Sequence, residues 1–213
     1  MPDYITFDEF KKTLTLTNAG NFADDDIKVA ITSASEHVDD ITHRSFGKDT
    51  DNTNVRYFTA IRSGQLFIDD IVELAEFATD PAGLGTYDYV WVRGQDYVLE
   101  PANAAAKGQP YTEVRALKGG RWGWGSWGNA RYWLPVDRPQ AIRATGQYGW
   151  PSVPAKVKEA TSIIAHRGLR IKREAPLNVM TVGLEIGAAV HIAAQDPQVG
   201  KLLERLTRDQ YFG

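Results

Sequence analysis

The chain has 213 residues, 43% of them hydrophobic and 24% charged, with a net charge of −3 and no cysteine. That length allows a sizeable core, as one domain or as a small domain with an insertion; without cysteine, disulfides and thiolate metal sites are ruled out. The acidic balance argues against a nucleic-acid reader with a basic face, no stretch approaches the ~18 apolar residues of a membrane span, and MPDYITFDEF lacks the regions of a signal peptide.

The chain opens helically. Thr6 and Glu9 have the spacing of a capping box ahead of Phe7, Phe10 and Leu14. A turn follows over Asn18 to Phe22, and Asp24, Asp25 and Asp26 then stand where a helix N-terminus favours negative charge. Ile27, Ile31, Ala34, Val38 and Ile41 repeat at four- and three-residue steps, which predicts a helix to about His43 that stops near Gly47. From Asn54 the pattern shortens. Strands are predicted at 55–61, 65–77, 87–92, 97–99, 111–117, 132–134 and 142–148, separated by Gly, Pro, Asp and Asn. VELAEFA within the second of these also fits a helical turn; the strand reading is kept.

Between Ala141 and Ala175 a strand ends in an aromatic turn and feeds a long amphipathic helix. Ile142 and Ala144 alternate with Arg143 and Thr145, and Trp150-Pro151 stops further pairing. Pro154 suits a first helical turn, after which Val157, Ala160, Ile164, Gly168 and Ile171 are expected on one buried face. PLNVMTVGLEIGAAVHIAA has no helical stripe and is expected to be extended. Asp196-Pro197 then begins a short helix with Val199, Leu202, Leu203 and Leu206 on one face. Such a terminal helix docks either on its own domain or on a partner.

These patterns give an α+β fold: a small helical bundle, with two N-terminal helices and a long helix near 154–173, an inserted antiparallel β-module, and an extended C-terminal arm ending in a short helix. The boundaries are 1–53 for the N-terminal helical part, 54–150 for the β-module, 151–175 for the long helix, and 176–213 for the arm and terminal helix.

Little of the sequence suggests catalysis. Gly123 to Gly128 matches G-x-G-x-x-G, but Asn129 to Pro135 continues as strand chemistry and not as the helix a dinucleotide needs. No cofactor is expected. His37, His43, His166 and His191 lack metal spacing, so no metal is expected. No carboxylates stand out as an acid–base pair. Trp122, Trp124 and Trp127 lie among glycines; they fold back on the β-module, make a protein contact, or stack on sugar. Asp39-Asp40 and Asp69-Asp70 read as solvated turn or helix-end charges.

Four blocks in order carry a resemblance. DDDIKVAITSASEHVDDITHRSF (Asp24 to Phe46), QDYVLEPANA (Gln95 to Ala104) followed by Pro110-Tyr111, GQYGWPSVP (Gly146 to Pro154) and DPQVGKLLERL (Asp196 to Leu206) resemble the head-to-tail connector, or adaptor, proteins of tailed bacteriophages. The long Gly- and Trp-rich loop from Lys118 to Trp133 and the length of the chain after Ala175 depart from that pattern. The resemblance implies a structural virion protein and not an enzyme. It implies a ring, usually of about twelve copies, bound beneath the portal protein in the neck between capsid and tail. Such a ring extends the DNA channel, lets DNA pass without sequence-specific binding, and offers a platform for stopper or tail-completion proteins. It also implies synthesis in the bacterial host cytoplasm and no membrane contact.

The family's C-terminal segment reaches the portal, which makes Asp196, Pro197, Val199, Leu202, Leu203, Leu206, Tyr211 and Phe212 portal-contact candidates. Trp122, Trp124, Trp127 and Arg131 are candidates for contact with a sister subunit or the tail side. Acids facing the lumen of such a ring, Asp39-Asp40 and Asp69-Asp70 among them, would repel the phosphate backbone. The alternative reading is a carbohydrate-binding β-module that uses the Trp-rich loop.

Overall fold

The structure, a computed structural model, describes residues 3–16, 22–117, 134–174 and 197–208. The chain divides into two compact units, one drawn from Met1–Gly47 and Val153–Tyr211, the other mainly from Lys48–Ser152. Among the described residues there are four α-helices and an antiparallel sheet of six strands, an α+β fold.

The helical unit contains α1 (Phe7–Leu16), α2 (Asp24–Thr42), α3 (Ala155–Glu174) and α4 (Pro197–Leu203). α1 begins in the predicted capping box: Thr6 N–H donates to Glu9 Oε2 at 3.0 Å, and Glu9 N–H donates to Thr6 Oγ1 at 3.2 Å. The Thr6 backbone bond and the Lys158 ammonium together hold the Glu9 carboxyl down to about 2. α2 has no side-chain cap; three acids in its first turn meet the helix dipole instead. It ends at His43, where its period placed the end, without using Gly47 as the cap. His43 adopts the left-handed conformation (φ 53°), and its N–H bonds Asp39 O at 2.8 Å, a role glycine more often fills.

α2 buries Ile27, Ile31, Ala34, Ser35, Val38 and Thr42. α3 buries Val157, Ala160, Thr161, Ile164, Ala165 and Leu169. This corrects the expected α3 stripe, since Gly168 is exposed and Ile171 is 40% exposed. Helices packed ridge-into-groove bury rows at four-residue steps, which run aslant to the axis. Val157, Thr161, Ala165 and Leu169 form one such row, and Ala34, Val38 and Thr42 form its like on α2. Beside α2, Tyr4 is buried with its ring edge-on to Phe46, 5.7 Å between centroids. Its hydroxyl donates to the Asp39 carboxylate and accepts from Phe46 N–H at 2.9 Å.

The sheet unit is ordered β1 (Asn54–Phe58), β6 (Ile142–Tyr148), β2 (Gln65–Thr79), β5 (Tyr111–Ala116), β4 (Tyr97–Glu100), with β3 (Tyr89–Val90) pairing β2. β2 is the spine, at 15 residues far longer than an ordinary strand. Its first half pairs β5 and its second half β6, with register shifts between Phe67 and Ile71, Ile71 and Glu73, and Leu74 and Glu76. VELAEFA is therefore strand. The predicted strand at 87–92 shrinks to two residues, because Trp91 and Val92 turn into the bend that Asp96 closes through the N–H of Val92 at 2.8 Å. Of 132–134 only Leu134 is described, buried and outside any strand.

The sheet core gathers Leu66, Ile68, Phe77, Trp91, Tyr97, Val114, Ile142 and Tyr148. Gly146 permits a close crossing there: a Cβ on it would lie 2.2 Å from the Glu73 carbonyl oxygen. The insert's two ends meet, with Lys48 bridging Gly149 and Asp49 N–H donating to Tyr148 O at 2.9 Å.

Candidate functional site

The portal-contact candidates fall into three groups. Val199 and Leu203 are fully buried, and α4 packs on α3 while Arg208 N–H reaches Thr42 O at 2.9 Å. The terminal helix is thus seated on its own unit. Leu202 and Leu206 are half-buried and Pro197 is exposed. Asp196, Tyr211 and Phe212 lie outside the described residues, as do Trp122, Trp124, Trp127, Arg131 and the arm predicted to be extended. The carbohydrate-binding alternative rests wholly on that undescribed loop.

The paired acids do not all behave as solvated charges. Asp70 is 7% exposed and accepts the Trp150 indole N–H at 2.9 Å, while Asp69 pairs with Arg56 at 2.7 Å. Strand alternation explains the split: the two residues point to opposite faces of β2. Asp40 is exposed, but Asp39 is half-buried under Tyr4. Burial is the main force pushing the Asp39 carboxyl up to about 6; the bond from Tyr4 opposes it, and Asp40 and Glu36 add repulsion. Its Oδ2 is buried without a hydrogen-bond partner among the described residues.

A pH dependence follows. The folded chain keeps the Asp39 proton to higher pH than the unfolded chain, whose carboxyl titrates near 3.8. Stability from this group is therefore greatest below that value and falls as pH rises through about 6. Asp39→Asn keeps an acceptor for the Tyr4 hydroxyl, and the fall in thermal midpoint across that window should flatten. Parallel wild-type and variant curves would refute this.

Sequence reasoning missed a cleft beside α1. It encloses about 380 Å³ and is lined by Leu14, Phe22, Ser162, Ile163, His166, Arg167, Arg170 and Arg173. The signal was present in the three arginines at three-residue steps, which share a helix face. The Arg173 guanidinium stands 5.7 Å from the Phe22 ring centroid. His166 lies 4.7 Å from Phe10, centroid to centroid, with Nε2 3.0 Å from Thr13 Oγ1. The Thr13 hydroxyl donates to Phe10 O at 2.7 Å, so the imidazole is the donor in the His–Thr pair. Burial lowers the His166 pKa and keeps the ring neutral near pH 7.

On the sheet unit, β1 is an edge strand with Val55 and Tyr57 about half exposed on one face. No metal-binding cluster of His, Cys, Asp or Glu occurs among the described residues. Among them, too, no helix is long and apolar enough to cross a membrane.

No protein-family model matches the chain, and no curated protein matches it in sequence. Among solved structures it is similar to a chain from the neck of an empty GTA (gene transfer agent) particle with C6 symmetry. The two superpose at a TM-score of 0.52 with 14% identity, over 99% of this chain and 92% of that one. A chain from the neck of a native GTA particle with C12 symmetry gives a TM-score of 0.46 at 14% identity, over 100% and 98%. The first likeness establishes a shared fold.

Proposed function

We propose that this chain is a structural component of the neck of a phage-like particle, a head-to-tail connector that works through protein interfaces and not by catalysis. The observation that carries this reading is the fold shared with the GTA neck chain over nearly the full length of both. In the finer form, copies of the chain close a ring beneath the portal, extend the DNA channel without gripping DNA, and offer a docking platform to stopper or tail proteins. The chain is made in the host cytoplasm and resides in the virion neck.

The seating of α4 refines the proposed portal contact. Val199 and Leu203 hold the helix on its own unit. The surfaces left for the portal are then Pro197, Leu202 and Leu206, with Asp196 before them and Tyr211 and Phe212 after. Trp122, Trp124, Trp127 and Arg131 are proposed to meet a sister subunit or the tail side.

Native mass spectrometry of the 23.7 kDa chain mixed with the portal ring of the same particle tests this reading. A twelve-copy ring adds about 284 kDa to the portal. Deleting residues 209–213 spares the buried seat of α4 and is expected to reduce that gain. An intact portal that gains no mass from the wild-type chain would end the connector reading.

A further inference from the structure

Two surfaces of the helical unit complement each other, and neither belongs to the portal or tail contacts proposed above. The first is the outward face of α2. Asp25, Val29, Thr32, Ser33, Glu36 and Asp40 are all exposed there, opposite the row that packs inward. Val29, 63% exposed, is an apolar knob in this acidic stripe. Lys28 pairs with Asp25 at 3.4 Å, and Thr32 Oγ1 donates to Asp3 at 3.0 Å; Glu36 and Asp40 supply the negative charge farther along.

The second surface is the α1–α3 cleft, with an apolar floor of Leu14, Phe22 and Ile163 and a rim of Arg167, Arg170 and Arg173. Its α3 residues are on the helix side turned away from the buried row Val157, Thr161, Ala165 and Leu169. The acidic knob and the basic socket therefore lie on opposite sides of the α2–α3 pair. The knob of one copy cannot reach the socket of that same copy.

We propose that the α1–α3 cleft receives the Val29 face of α2 from a second copy of this chain, Val29 entering the floor and Glu36 and Asp40 meeting the arginine rim. Two different patches on opposite sides make a head-to-tail contact, the kind that closes into a ring when the rotation per copy permits. Opposite charges around an apolar centre set register and exclude wrong pairings. The inference rests on the ring reading, for which it supplies the subunit contact.

Cross-linking tests it in the full chain, which has no cysteine of its own. A Val29→Cys, Ile163→Cys double variant, oxidised at high concentration and on the portal ring, is expected to give a ladder of covalent multimers. Each single-cysteine variant should stop at dimer or below. Charge reversal supplies a second measurement. Glu36→Lys with Asp40→Lys, or Arg170→Glu with Arg173→Glu, should weaken self-association at least about tenfold. The four changes together should restore it to within about threefold, which a folding defect would not do.

A ring that forms normally in wild type and every variant, without the ladder, overturns this contact and leaves the connector reading standing. A wild-type chain that forms no oligomer, alone or on the portal, overturns both.

Discussion

Gly146→Ala is expected to destabilise the sheet unit by about 3 kcal/mol, the upper end of what overpacking costs. The added methyl would lie 2.2 Å from the Glu73 carbonyl oxygen, 2.8 Å from Ile71 Cδ1 and 3.1 Å from Leu74 Cα. Two of those three atoms are backbone of the bulged stretch of β2, which pairs β6 at Leu74↔Gly146. A flexible side chain would step aside; a strand held in register by both neighbours does not. Gly168→Ala provides the contrast. Nothing lies within 4 Å of its added Cβ, and the position is exposed on α3. There alanine should stabilise by about 0.5–1 kcal/mol. Urea unfolding followed by tryptophan emission reads the sheet unit, where Trp91 and Trp150 are buried. A G146A curve that overlays wild type would mean that β2 and β6 do not cross as closely as described.

Phe77→Ala is expected to cost the same unit about 3–5 kcal/mol. Phe77 is fully buried, edge-on to Trp91 at 5.7 Å and tilted against Tyr97 at 5.2 Å. Its carbonyl also takes the Trp91 N–H at 2.8 Å, and the Trp91 indole N–H is tied to Thr79 Oγ1 at 3.0 Å. Neighbours held at both ends collapse poorly into a vacancy, so most of the cavity should remain. Phe77→Leu, closer in volume, should lose about 1.5 kcal/mol or less. If F77A unfolds within about 1 kcal/mol of wild type, the three aromatics are not the centre of the sheet core.

The sequence was most legible where local chemistry and tertiary packing agree. The Thr6–Glu9 box, the inward row of α2 from Ile27 to Val38 and the strand from Ile142 to Tyr148 appear where their spacing places them, while the last expected member of that row, Ile41, yields its buried place to Thr42. Reading failed where a distant partner decides. The buried row of α3 slides to Leu169 because helices pack aslant, and periodicity alone assumes a straight seam. Asp70 looked like half of a solvated pair, yet it is buried and accepts from Trp150, 80 positions away. The α1–α3 cleft was hidden for a similar reason. Leu14 and Ile163 each read as ordinary apolar positions, and only the fold turns them to one hollow.

The meeting of the sheet unit's two ends bears on the order of folding. α2 and α3 pack on one another although more than a hundred residues separate them along the chain. Closing a loop of that length in an unstructured chain carries an entropic cost that slows pairing. Once the sheet has formed, Lys48 and Gly149 are bridged neighbours, and the effective loop shrinks to the few residues at each end. The sheet then acts as a clasp, and the helices on either side of it find each other as though joined by a short turn. Folding should therefore run from the middle of the chain outward. Sheet substitutions such as G146A would slow the appearance of the helical unit, even though they touch none of its residues.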